Sequence, residues 1–481
     1  MAFSNKCICF LFTFASVTLA DRSYSQQDNT LFFLHNIPQS NFTNPAVQIN
    51  CPYYFGMPLL TTLHLNVNST GFSYNSFSPG EAELDIDKLI SKMHYQDFIS
   101  AEVHYTPFSM GFMYDRKQYF NFAWTEKVET KIFYPKKLLK LANDGNTQYV
   151  GDGFRTRNPG VNAVYYREFS FGYSRKLMKN WIIGGHVKVL FGLGGMYTRR
   201  KPVKLTFDEN TYNLDAQWNP KVNIALPLDV GVSPEGYVGS IAVGDISPVR
   251  FLLNFRNQGL ATDFGFIYMN DDITWSGSLL DLGMIWWHYQ TNRFENKGHF
   301  AFRGATIDDI DDADAYIEEL RDSISNQTRI TYSEKGFISF LNPRLYLGGT
   351  YPIWGNIRAG AHTRIEFYPG RPIFGLTLSA MTFSPKGASL GVNYSIMNGS
   401  YLNLGLGFGW GGEHFQFFMM SDNVMAAFKP EKARNVNLRF GFNFFIGCVE
   451  KKKEYKMPSS SGCGCLGVSD KEGKKIKKIS S

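Results

Sequence analysis

Apolar and polar residues alternate along most of this chain, and the pattern is clearest in residues 435–447. There Val436, Leu438, Phe440, Phe442, Phe444 and Ile446 fall on one parity. Asn435, Asn437, Arg439, Gly441 and Asn443 fall on the other. Successive side chains of a strand point to opposite faces, so this segment has one greasy face and one wet face. A strand that crosses a bilayer in a closed sheet turns the greasy face to lipid and the wet face to the lumen.

The same alternation recurs. Segments 59–74, 99–114, 119–130, 161–175 and 181–197 carry it in the first half. Segments 260–269, 274–288, 341–352, 357–368, 373–383, 388–397, 400–410 and 413–421 follow, and the terminal strand makes fourteen. Most have about ten residues, the length a tilted membrane strand needs. Residues 222–255 would bring the count to sixteen if they hid two more, but Pro227, Pro234 and Pro248 argue against it. The connectors sort by parity: those at 115–117, 176–180, 270–273, 353–356, 384–387 and 411–412 are short. Those at 78–97, 131–160, 198–259, 289–340 and 422–433 fall on the other side and include every long one. The expected fold is all-β, a closed antiparallel transmembrane β-barrel of about fourteen strands, with short turns at the periplasmic end and long loops outside. Within those loops, 135–142 and 307–324 read as helices. The acidic residues at the start of the second, Asp308, Asp309, Asp311 and Asp312, read as a solvated helix N-terminus, because they lack the ligand spacing and glycine of a calcium loop.

Composition agrees with this reading. Aromatics make up 16% of the 481 residues and glycines number 45, yet the mean hydropathy is only −0.22. After the first 20 residues no apolar run is long enough for a membrane helix. The start of the chain looks like a secretory signal, with Lys6 ahead of an apolar stretch ending at Ala20, so 1–26 is assigned to the signal and its cleavage region. Residues 27–447 form the barrel. They open with a lead-in whose Pro38 and Pro45 favour extended backbone over a strand. The net charge of +7 is concentrated in a tail, 448–481: from Val449 onward nine lysines face four acids. Such a tail is expected to be disordered and periplasmic, available to a periplasmic protein or the cell wall. No basic stripe with stacking aromatics points to nucleic acid. Cys51, Cys448, Cys463 and Cys465 do not read as a disulfide scaffold, and Cys463 with Cys465 lack the further ligands of a closed metal site.

Parity also assigns the chemistry of the lumen. Glu102, His104, His186, Lys188, Asp263, Asp281, Arg344, His362, Arg364, Glu366, Asn437 and Arg439 face inward, with His64, Asn393 and Asn403 beside them. A Lys or Arg on the lipid face costs about 2–4 kcal/mol at mid-membrane, so this shared placement is informative. Arg167 breaks the rule, because it shares parity with Phe169 and Phe171; a bulge or a position at the membrane interface would account for it. The lumen groups line a pore or neutralise one another in a plugged barrel. No G-x-S-x-G elbow or H-E-x-x-H pair suggests catalysis, and no cofactor or metal is expected. Gly192-Leu193-Gly194-Gly195 lies within a strand pattern, which fits bulge or pocket glycines rather than a phosphate cradle.

Several short stretches, in order, resemble an uncharacterised family of outer-membrane β-barrels from Bacteroidetes-type bacteria. They are Asn36-Ile37-Pro38-Gln39-Ser40 with Asn44-Pro45-Ala46, then Tyr165-Tyr166-Arg167-Glu168 leading to Phe171-Gly172-Tyr173-Ser174. Asn257-Gln258-Gly259-Leu260, Leu279-Leu280-Asp281-Leu282-Gly283 and Ser421-Asp422-Asn423 follow. The resemblance spans about 31–447 and is broadly similar to long-chain fatty-acid transporters and to barrels associated with type IX secretion and gliding. It implies outer-membrane lipid as surroundings and transport of a small molecule, a hydrophobic one included. The alternative it implies is a non-catalytic structural or secretion barrel that docks periplasmic partners.

Overall fold

The computed structural model describes residues 28–448, apart from 72–86, 303–329 and a few single residues or short stretches in other loops and turns. The signal region, the helix expected at 307–324 and the tail with Cys463 and Cys465 lie outside the described residues.

Fourteen strands form the barrel: β1 (Thr62–Ser69), β2 (Gln96–Tyr114), β3 (Gln118–Pro135), β4 (Gly160–Lys176), β5 (Trp181–Arg199), β6 (Asn257–Met269) and β7 (Thr274–Trp287), then β8 (Arg344–Trp354), β9 (Ile357–Tyr368), β10 (Arg371–Phe383), β11 (Ser389–Met397), β12 (Ser400–Gly411), β13 (Phe415–Ser421) and β14 (Asn435–Ile446). Each pairs antiparallel with its neighbours in sequence, and β1 pairs with β14 through Thr62↔Gly441 to Asn68↔Asn435. The ladder therefore closes on itself and leaves no edge along the barrel wall. Tyr53–Gly56 continues β1 toward the short-turn end and pairs with both β14 and β2.

Alternation decides what each face meets. In β14 the Asn435, Asn437, Arg439 and Asn443 side chains are buried within the cylinder, whereas Val436, Phe444 and Ile446 are exposed on its outside. Leu65, Val67, Phe171, Val187, Leu260, Phe264, Leu347, Leu378 and Leu390 are likewise exposed. An apolar outer face over a polar interior inverts a soluble protein and identifies a transmembrane barrel.

Residues 222–255 add no wall strands. Lys221–Ala225 pairs along the last residues of β5, Gly195–Arg199, past the point where β6 begins, Leu228–Val232 pairs with Val238–Val243 as a hairpin, and Pro248–Leu252 is a short helix. A separate four-stranded sheet at the long-loop end runs in the order Gly298–Phe302, Leu214–Trp218, Pro202–Phe207, Gly153–Arg157. The helix expected at 135–142 forms as Lys136–Asp144 and ends at Gly145, whose φ of 72° suits a residue without a side chain. Its Leu138 and Leu141 pack on Phe154, Val203, Leu205 and Phe207 of that sheet.

Two expectations are corrected. The lead-in is not extended: Asn29–Phe33 is helical, Pro38–Phe42 is a 3-10 turn, and nearly every residue from 28 to 49 is buried. Inside a wide polar cylinder, a segment of this size gains more by filling space than by lying along a wall. The cysteines, read as no disulfide scaffold, do supply one bond: Cys51 forms a disulfide with Cys448, 397 residues away, because both flank the seam where β14 meets Tyr53–Gly56.

Candidate functional site in the barrel lumen

Residues 28–49 plug the cylinder from the short-turn end. The Asn29 and Thr30 N–H groups donate to the Asp422 carboxylate at 3.1 and 2.8 Å, and the Thr30 hydroxyl donates to it at 2.5 Å. Gln39 and Asn443 exchange amide hydrogen bonds of 2.7 and 2.9 Å. Asn44 Nδ2 donates to the Phe266 carbonyl, and Ser278 Oγ to that of Thr43. Gln48 Nε2 donates to Ser174 Oγ near the rim. Apolar contacts supplement these ties: Phe32 stacks on Tyr346 with centroids 5.5 Å apart, and Phe33 lies against His362. Strand glycines make the fit close. A Cβ on Gly360 would come within 2.5 Å of the Phe33 ring, and one on Gly265 would strike Asn44 and Pro45.

Asp28, at the head of the plug, pairs with Arg439 at 2.7 Å. Burial by itself would raise its carboxyl, but Arg439 and the basic groups around it hold it below the usual carboxylate range. Burial pushes the Asp422 carboxyl up despite the hydrogen bonds it accepts from Asn29, Thr30 and Asn437.

Beyond the plug lies a layer of charge. Lys188 is 2.8 Å from Asp263, 2.7 Å from Asp281 and 3.8 Å from Glu168, and Glu168 is also paired with Lys127 at 2.7 Å. Arg344 grips Asp281 through Nε and Nη2. His186 bridges from Asp263 at 2.9 Å to Asn41 of the plug at 2.7 Å, and Arg364 pairs with Glu366 at 2.5 Å. Two adjoining cavities remain, with Arg344 lining both. The one next to the plug, about 480 Å³, is walled by Asp28, His104, Lys127, Glu168, Lys188 and Arg439 among others. The one further out, about 290 Å³, is walled by Glu102, Glu129, Tyr166, Asp281, Leu341, Asn342, Arg344 and Glu366. Toward the long-loop end, Tyr166, Leu190, Ala261, Ile285 and Trp287 form an apolar layer. Gly192 and Gly195 leave room for the Trp287 ring, and the β4–β5 ladder passes over Leu193 within this stretch as a bulge in β5, the two roles expected of these glycines.

The lumen set expected from parity is placed inside throughout. Glu102, His104, His186, Lys188, Asp263, Asp281, His362, Arg364, Glu366, Asn437 and Arg439 are all buried, as are His64, Asn393 and Asn403, and Arg344 is nearly so. Glu102, Asp281, Arg344 and Glu366 meet in the outer cavity, while His104, His186, Lys188, Asp263, Arg344 and Arg439 meet in the inner one. His362 and Asn437 serve the plug instead: His362 Nε2 lies 3.1 Å from Asn29 Oδ1, and Asn437 hydrogen-bonds Asp422. Sequence reasoning did not single out Glu129, Lys127, Glu168 and Tyr166, although the same alternation points each of them inward. Among the described residues no group of His, Cys, Asp and Glu is arranged to hold a metal ion.

Arg167 stays on the outer face. It pairs with Glu126 at 2.5 Å, and its guanidinium lies 5.4 Å from the Trp124 ring centre and 5.5 Å from that of Phe255, just beyond the helix Pro248–Leu252. An ion pair screened by aromatic rings is how this charge meets the outer surface.

The chain belongs to the Family of unknown function (DUF5723), which it matches over residues 45–422. No curated protein matches it significantly. Among solved structures it is similar to a FadL homologue of Pseudomonas aeruginosa, at 10% identity and a TM-score of 0.37 over 89% of this chain and 100% of that one. It is also similar to the toluene transporter TbuX of Ralstonia pickettii, at 7% identity and a TM-score of 0.38 over 85% and 94%. A third is the translocator domain of the autotransporter NalP from Neisseria meningitidis, at 8% identity and a TM-score of 0.27 over 82% and 88%.

Proposed function

We propose that this protein is a plugged outer-membrane channel that passes a small polar solute, with its short-turn end and both termini in the periplasm. The observation that carries the reading is the plug itself. Residues 28–49 fill the lumen and are tied to the wall by side-chain hydrogen bonds and one ion pair, a set that can be exchanged for water as the segment shifts. A purely structural barrel has no need of charged cavities beyond such a plug. Both cavities are walled by carboxylates, ammonium and guanidinium groups, which favours a polar cargo over the hydrophobic one that the sequence also allowed.

Planar-bilayer recording tests this. The whole barrel should show small or intermittent conductance, and a variant lacking 28–49 a severalfold larger and steadier one. Equal conductance from the two, with both shifting on boiling in gel mobility as intact barrels do, would mean that the segment does not gate the lumen.

A further inference from the structure

The outer cavity holds a carboxylate that no side chain among the described residues contacts directly, although the Lys131 ammonium and the Arg344 guanidinium act on it from further off. Glu102 is only 3% exposed and lines the cavity, yet among the described residues it makes no hydrogen bond and no ion pair. Its neighbours across the sheet do not help. On one side, in register, is Glu129, a like charge directly opposite and therefore unfavourable. On the other is Asn66, 1% exposed, with neither amide atom hydrogen-bonded. The remaining carboxylates of the cavity have cations: Asp281 has Lys188 and Arg344, and Glu366 has Arg364 and, at 3.9 Å, Lys131. Glu129 has only the Tyr166 hydroxyl at 3.3 Å and His104 at 3.4 Å. Buried carboxylates without partners are costly, and a folded protein that keeps one commonly answers it with something bound.

We propose that Glu102 and Glu129 form the binding site for a small organic ammonium ion, which is the solute class of this channel. Transport of that ion rests on the channel reading; the site rests on the geometry. Glu102 and Glu129, both lining the cavity, supply acceptors for the N–H bonds of a primary ammonium. Tyr166 and Leu341 give its carbon body a partly apolar wall. The cavity is small, which limits the ion to a short-chain amine such as methylammonium, and its carboxylates are not set out as metal ligands.

The test is equilibrium dialysis of the detergent-purified full chain against labelled methylammonium, acetate and methanol. Methylammonium should bind saturably and the other two should not. Glu102→Gln should weaken that binding by about tenfold or more, as the loss of a charge-assisted hydrogen bond does, and Glu102→Asp should restore part of it. Heat-dependent gel mobility identifies variants that are still closed barrels. Preference for acetate, or binding unchanged in closed Glu102→Gln, overturns the site. If Glu102→Gln does not close, competition in the unaltered protein decides: ethylammonium must displace the label and propionate must not. Because dialysis does not depend on conduction, binding without conductance defeats the channel reading alone, and conductance without binding defeats this inference alone.

Discussion

Arg167 shows how one side chain forces its neighbours to adapt. Parity marks it as the basic residue on the wrong face, and it does lie outside, paired with Glu126 and roofed by Phe255. Both side chains are largely shielded, so removing Arg167 leaves the Glu126 carboxylate with the Trp124 indole N–H but no counter-charge. Arg167→Ala should destabilise the barrel by about 3–5 kcal/mol, whereas Arg167→Met combined with Glu126→Leu should recover most of that loss. The temperature at which the folded gel band disappears measures both. Asp28 gives a second expectation at this scale. Its carboxyl is held below its ordinary value in the docked plug, so the Asp28–Arg439 attraction is fully present above the unfolded value near 3.9 and fades as pH falls toward the docked one. Conductance should therefore rise as pH drops below about 4, and Asp28→Asn should show the higher conductance already at neutral pH. The inward set, from Glu102 to Arg439, was legible because a period of two is all that parity needs. The partner of each residue was not, since pairing across the lumen depends on which strands stand opposite.

At the scale of elements, all fourteen strands were legible, since each carries its own alternation and is bounded by turn residues such as Gly355 and Asn356. The plug was not. Helices of five residues or fewer have no periodicity to read, and Pro38 and Pro45 look alike in a linker and in a compact turn. Nothing local marks Cys51 and Cys448 as partners either, because their meeting depends on closure of the whole sheet. Replacing both by serine should lower stability by about 2–4 kcal/mol, seen as a lower temperature for loss of the folded band under non-reducing conditions. The single replacements should match the double, since either one removes the same link.

For the whole molecule, the layers succeed one another along the axis: plug, charged inner cavity, Arg344, carboxylate-rich outer cavity, then the apolar ring around Trp287. A solute would meet a different chemistry at each step, so selection is divided among several places rather than left to one constriction. The plug's last residues run directly into the rim, where Cys51 is bonded to Cys448. Once its inner contacts let go, the segment remains on a leash of a few residues and cannot diffuse away. Its return is a first-order event with an effective concentration on the order of millimolar, so reclosure does not depend on how many copies the membrane holds.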